Sequence, residues 1–347
     1  MNHERNISVM VHVDDFLIIG NFHEVKWLEM RLRDEFEIKS TYVGRNHQKE
    51  VKYLNRTICW TEEGITVESD NKHVQTLLRE WGMEDCKGLD TPLPREIDDI
   101  KISGESMDAK DATVFRRSAA RINFMAQDRP DLSVTSRKLS QFMSDPKLGC
   151  DAFIKRVIRY LKSHPRCINH MKWQDEPECI TVLIDADWAG DRSSRKSTSG
   201  GTISLGDHLI MHWSKLQGNV ALSSGEAELN AAVKGISEGL GIKNLCEEFG
   251  RNLKLQVGTD ASVCNSIILR QGCGKIKHLT TKQLWIQGAV ETNDIKILKI
   301  PRAINSSDLL THACSVKDFQ DHLKRIGHEG GNPMKAAREQ PPPLSRT

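Results

Sequence analysis

The clearest hydrophobic patterning lies between residues 178 and 310. Glu178 to Asp185 (ECITVLID) is a short β-branched apolar run ending in an acid, the pattern of a buried strand, and Ala186-Asp187-Trp188-Ala189-Gly190 then turns the chain away. Gly200 to Leu205 and His208 to Ser214 read as two more strands, joined by Gly206-Asp207, a dipeptide suited to a tight hairpin. Ser223-Ser224-Gly225-Glu226 places an N-cap serine three residues before a glutamate, and Ala227, Leu229, Ala231, Ala232, Ile236 and Leu240 continue a helical stripe. Leu253 to Thr259 alternates up to Asp260, and Ala261 to Leu269 reads as a helix. Ile295 to Ile300 alternates again, and Ser306-Ser307-Asp308-Leu309-Leu310 opens a last helix. The predicted order is β-β-β-α-β-α-β-α.

The earlier part of the chain is patterned less regularly. Val9 to Gly20 holds two apolar strands around Asp14-Asp15, and His23 to Ile38 is amphipathic, with Val25, Leu28, Met30, Leu32 and Phe36 among its apolar positions. Val51 to Leu54 and Gly64 to Glu68 are strand-like, and a helix follows over His73 to Gly82. Arg95 to Asp111 is polar and without periodicity, which predicts an exposed, mobile loop. Thr113 to Lys162 turns helical, divided into three helices by Pro130 and Pro146. Gly330 to Thr347, with Gly-Gly and Pro341-Pro342-Pro343, is expected to be disordered.

Composition narrows the class. A chain of 347 residues with 38% hydrophobic content suggests two or three compact domains. The net charge of +2 is too small for a whole-chain field to attract a polyanion, so affinity for nucleic acid must come from patches such as Arg192, Arg195 and Lys196, or Arg270, Lys275, Lys277 and Lys282. Nine cysteines without a C-x-x-C pair argue against a disulfide framework and a zinc site. No signal-peptide pattern and no apolar run of 18 residues is present, so the expectation is an intracellular protein with no membrane partner.

Four acids stand at the ends or starts of the predicted elements: Asp185, Glu228, Asp260 and Asp308. A phosphodiester is hydrolysed by in-line attack when two divalent ions about 4 Å apart activate the water and take up charge on the leaving oxygen. Mg²⁺ prefers hard oxygen ligands and keeps several waters, so three or four converging carboxylates suffice to hold it. Any one of these acids alone is more simply a solvated surface carboxylate; four in this order and context are what point to a site. Asp187 and Glu226, each two residues from an assigned acid, are close competitors.

The stretches Asp185-Ala186-Asp187-Trp188-Ala189-Gly190-Asp191-Arg192, Arg195-Lys196-Ser197-Thr198-Ser199-Gly200 and Ala221-Leu222-Ser223-Ser224-Gly225-Glu226-Ala227-Glu228-Leu229 resemble the ribonuclease H domain of copia-type LTR retrotransposon polyproteins. Val9 to Gly20 resembles the same family's polymerase hairpin, with His12 where an aromatic residue is usual. The resemblance covers roughly residues 8 to 327 and implies an α/β chain. Its ribonuclease H-like fold would be a mixed five-stranded sheet with flanking helices, preceded by an incomplete reverse transcriptase palm/thumb and a helical connection region. The implied divisions are 1–95 (palm/thumb fragment), 96–112 (flexible linker), 113–175 (helical thumb/connection), 176–328 (ribonuclease H-like) and 329–347 (tail).

Residue by residue, the resemblance makes Asp185, Glu228, Asp260 and Asp308 the catalytic, metal-holding acids for two Mg²⁺ (or Mn²⁺) ions. It makes Asp14 and Asp15 the metal ligands of a polymerase remnant. The opposing palm aspartate and the fingers find no counterpart before residue 8, so polymerisation is not expected of this chain. The implied partner is an RNA-DNA hybrid whose RNA strand is cleaved, with other polyprotein segments as further partners. Arg195, Lys196, Lys275, Lys277 and His278 are the candidates for phosphate contact. Enzymes of this fold carry a histidine just before the last aspartate; Pro301 to Ser307 has none, and His312 follows Asp308 instead. Two other readings are a catalytically dead remnant that only binds nucleic acid and an integrase-like DNA nuclease, which would use three acids.

Overall fold

The computed structural model describes residues 2, 4–94, 102, 104–274 and 276–331. The chain begins with a hairpin of β1 (Ser8–His12) and β2 (Asp15–Ile19), closed by His12 opposite Asp15 with Val13 at φ 54° in the turn, followed by α1 (Phe22–Glu35). An antiparallel meander of β3 (Glu50–Tyr53), β4 (Arg56–Trp60) and β5 (Gly64–Ser69) comes next. The middle strand β4 is not anticipated by the pattern. Its residues are all half-buried, so no two-residue alternation shows, and the turn that starts it uses Leu54 and Asn55 at positive φ rather than glycine.

Four helices follow: α2 (Lys72–Glu80), α3 (Ala109–Met125), α4 (Ser133–Ser140) and α5 (Cys150–Ser163). Pro130 opens a 3-10 turn (Pro130–Leu132) ahead of α4. The expected linker is shorter than predicted. Asp108 caps α3 by accepting from the Asp111 N–H at 2.8 Å, so residues 109–112 are helix. Residues 95–101 and 103 of that linker lie outside the described residues. β6 (Arg166–Lys172) follows α5 and pairs with β5, another strand the pattern does not single out.

The expected mixed five-stranded sheet is present. β7 (Cys179–Asp187), β8 (Thr198–Leu205) and β9 (His208–Leu216) form an antiparallel meander. β10 (Lys254–Thr259) runs parallel to β7, and β11 (Lys296–Lys299) parallel to β10, giving the order β11-β10-β7-β8-β9. Parallel neighbours need crossover connections. Those are α6 (Ser224–Glu248), and then α7 (Ser262–Ile268) with α8 (Thr281–Thr292). α6 lies close on the sheet because Gly235 and Gly239 share one face: a Cβ there would stand 2.5 Å from Ile184 and 2.9 Å from Val182 and Leu255. α8 is absent from the predicted order, although its capping box, Thr280 with Gln283, is written in the sequence.

Asp308 does not open an α-helix. Ser306–Leu310 is a 3-10 turn capped by Asn305, and α9 (Val316–Arg325) starts afresh after the Ser315 cap. Leu309 and Leu310 drop from that turn into a core shared with Phe115, Ile122, Phe153 and Ile158, and Phe319 and Leu323 of α9 join them. A separate core, with Ile180, Val182, Ile184, Leu229, Ile236 and Val257, fills the mixed sheet. The apolar packing therefore ties residues 309–326 to the helices of 113–175 rather than to the sheet. β12 (His328–Gly331) then pairs with β6, completing a second five-stranded sheet, β12-β6-β5-β4-β3. Residues 330 and 331, expected to be disordered on composition, are strand because β6 offers an open edge; residues 332–347 lie outside the described residues. Among the described residues no helix is long and apolar enough to cross a membrane.

Candidate metal centre

Three of the four acids converge. Asp185 near the end of β7, Glu228 in the second turn of α6 and Asp260 just past β10 each present a carboxylate oxygen within 4.8 Å of the others. Parallel strands β7 and β10 deliver two of these acids at their carboxyl ends, the edge at which open α/β sheets place ligands. α6 brings the third because Ser223 fixes its start: the serine accepts from the Glu226 N–H at 3.2 Å, which sets Glu228 one step further round the first turns.

Gly200 explains how the last acid comes near. It is paired directly opposite Asp185, and a Cβ on it would stand 2.7 Å from Thr311, 2.9 Å from Leu310 and 2.9 Å from the Ser307 carbonyl. Only a glycine lets the 306–311 segment rest on β8. Asn305 anchors the same segment by donating to the Ile184 carbonyl at 2.9 Å, and the Thr311 hydroxyl donates to Asp185. Asp308 itself stays outside the cluster of three. Its Oδ2 faces Arg302 Nε at 3.4 Å, and its Oδ1 is buried with no hydrogen-bond partner.

The electrostatics are those of crowded, desolvated acids. Burial, then the neighbouring Asp185 charge, pushes Glu228 up to about 8, against which the Ala186 N–H at 3.2 Å works in the opposite direction. Burial and Asp185 likewise push Asp308 up to about 7, and burial raises Asp185. Such a set fits a divalent ion: three hard oxygen donors brought together, with the orphaned carboxylate oxygen of Asp308 nearby.

The two competitors lie outside the cluster of three. Asp187 lies beneath Gly190, its carboxyl raised by burial, with Lys138 and Arg137 of α4 and His312 acting on it. Glu226 accepts from the Leu222 N–H at 2.8 Å, from Gln283 at 3.3 Å and pairs with His278 Nε2 at 3.1 Å. Burial works to raise its carboxyl, but these partners hold it below the usual range.

His278, a candidate for phosphate contact, is thus engaged with Glu226. Arg195 and Lys277 are exposed on their loops, Lys196 is half-buried, and Lys275 falls outside the described residues. Sequence reasoning missed Asn305, Thr311, Arg302, and the α4 pair Arg137 and Lys138, whose charges face Asp187 and Asp191. Asn305, an N-cap type directly before Ser-Ser-Asp, is the one whose role the sequence could have signalled.

No family model matches the chain. A retrovirus-related Pol polyprotein from transposon RE1 of Arabidopsis thaliana is 27% identical over 330 residues, 92% of this chain and 22% of that polyprotein. An uncharacterized mitochondrial protein of the same plant is 30% identical over 225 residues, 64% of this chain and 89% of its own length. Among solved structures, the LC11 ribonuclease H1 crystallised with an RNA/DNA hybrid aligns with 19% identity over 38% of this chain and 93% of that one, at a TM-score of 0.28. The chain spans about a fifth of the length of the Pol polyprotein it matches. On these relatives, which match most of its length, the chain belongs to the copia-type retrovirus-related Pol polyproteins.

Proposed function

We propose that the mixed-sheet unit, residues 176–328, is a divalent-cation-dependent ribonuclease H that hydrolyses the RNA strand of an RNA-DNA hybrid. The observation that carries this reading is the convergence of Asp185, Glu228 and Asp260 at one sheet edge. Asp185, Glu228 and Asp260 would hold Mg²⁺ or Mn²⁺, with Asp308 at the margin for a second ion. Bound there, such ions supply an activated water and stabilise charge on the leaving oxygen.

The chain's own groups prepare that site. Thr311 orients Asp185 through its hydroxyl, the Ala186 N–H fixes one Glu228 oxygen, and Asn305 holds the Asp308 turn against β7. Discrimination for RNA would come from contacts to 2′-hydroxyls across the wide minor groove of the hybrid. Arg195, Lys196, Lys275, Lys277 and His278 remain the proposed backbone contacts. Residues 1–95 and 113–175 are read as the family's palm/thumb and connection segments. Asp14 and Asp15 would be the polymerase metal ligands, at the turn of a hairpin whose apolar residues Val9, Met10, Val11 and Val13 are exposed.

A labelled hybrid incubated with the purified chain, with and without Mg²⁺, tests the reading. Cleavage of the RNA strand that needs Mg²⁺ and disappears in Asp185→Asn supports it. Binding without cleavage under both conditions selects the remnant that only binds, and cutting of duplex DNA selects an integrase-like nuclease.

A further inference from the structure

We propose that Arg302 is a phosphate-binding residue of the acidic site, resting on Asp308 until the substrate takes its place. The inference rests on the nuclease reading of that site, but its binding measurements stand apart from turnover.

Arg302 opens the short 3-10 turn (Arg302–Ile304) between β11 and the Asn305 anchor. Pro301 fixes the backbone before it and Asn305, hydrogen-bonded to Ile184, fixes it after. The base of the side chain is therefore positioned while its end is loosely held: the side chain is 72% exposed, and its ion pair to Asp308 is long at 3.4 Å. At that length the hydrogen bond from Nε is weak, and the exposed guanidinium can be taken up by a partner of better geometry. Through Asp308 the guanidinium stands beside the acids, and its charge also acts on Asp185 and Asp260.

The acids leave a problem that Arg302 answers. A nucleic acid strand brings a run of phosphates to a site lined by acids, and a cation beside those acids offers the phosphates a favourable contact. Arginine suits the task because it stays charged at all working pH values and its planar fork can bind two phosphate oxygens at once. Asp308 meanwhile keeps a buried Oδ1 without a partner, so release of Arg302 to phosphate would leave the whole carboxylate available to a cation. The arrangement amounts to an exchange: guanidinium on carboxylate without substrate, guanidinium on phosphate with it.

Arg302→Ala and Arg302→Lys in the full chain test this, with two readouts that do not depend on cleavage. The first is Mn²⁺ affinity of the substrate-free protein, by titration calorimetry; the second is hybrid affinity in EDTA as a function of salt. In Arg302→Ala, Mn²⁺ should bind several-fold more tightly, since a competing positive charge beside the acids is gone. Hybrid affinity should fall about tenfold, the loss expected for one charge-assisted contact, and the slope of log affinity against log salt should become shallower by about one unit. Arg302→Lys should keep wild-type Mn²⁺ affinity and salt slope and lose only part of the hybrid affinity. A purely structural ion pair predicts reduced thermal stability with hybrid affinity and salt slope unchanged, and that result overturns the proposal. If the wild type binds hybrid but never cleaves it, the nuclease reading fails, while these two binding measurements still decide the role of Arg302.

Discussion

Glu228 is held where water cannot help it. Burial and the charge of Asp185 push its carboxyl up to about 8 from 4.5, so the folded chain binds that proton more tightly than the unfolded chain does. Stability of the metal-free protein should therefore be highest below the unfolded value and fall as pH rises toward about 8. A divalent ion should remove most of that slope. Thermal unfolding across this range, in EDTA and in Mg²⁺, measures both, and equal slopes in the two conditions would contradict the site. Glu228→Gln should flatten the EDTA slope and raise the melting temperature, because a neutral amide carries no buried charge. The same substitution, like Asp185→Asn, should abolish hybrid cleavage. Full activity in Asp185→Asn would reassign the ligand to Asp187.

At the scale of elements, two contacts hold the site's frame. Gly200→Val would drive a branched side chain into the Ser307 carbonyl and the Leu310 and Thr311 side chains, which would have to lift away from β8. A stability loss of about 1–3 kcal/mol is expected from such overpacking, together with loss of turnover beyond it, since Thr311 and Asp308 ride on the displaced segment. Wild-type turnover in a folded Gly200→Val chain would show that the segment's placement is not needed. Arg129 is buried at 1% exposure in a fork on Asp131, at 2.6 and 3.2 Å, with Tyr160 donating to the same carboxylate at 2.7 Å. Arg129 also donates to the carbonyls of His164 and Pro165, so it fastens the end of α5 to the turn before α4. Arg129→Ala leaves the Asp131 charge stranded, and chemical denaturation should register about 3–5 kcal/mol of destabilisation.

Over the whole molecule, charge is nearly balanced at +2, so nucleic acid affinity has to be local. The double substitution Arg195→Ala with Lys277→Ala should weaken hybrid binding and reduce the salt slope by about one unit per lost contact, with a smaller effect on turnover of bound hybrid. An unchanged slope would assign both side chains to an ordinary solvated surface. The molecule is also joined across its expected divisions: β12 returns to β6, and Leu309, Leu310, Phe319 and Leu323 share the helical core. Separate unfolding of residues 176–328 is therefore not expected, and a single cooperative transition for the helices and α9 is.

The local sequence determined what depends on neighbours along the chain. The strand ending at the first acid, the Ser223 cap that sets Glu228 in α6, the Gly206-Asp207 hairpin and the proline divisions before α4 are all legible because periodicity, caps and turns act over a few residues. β4 and β6 were not, since half-buried strands carry no clean alternation and are defined by partners far away in the chain. Four acids could be nominated from their contexts, but only the tertiary structure decided that Asp185, Glu228 and Asp260 meet while Asp308 faces Arg302, that Glu226 belongs to His278, and that Gly200 is the gap through which the last turn approaches. Those outcomes depend on sheet order and crossover packing, in which residues more than a hundred positions apart come within hydrogen-bond reach, as Thr311 does with Asp185.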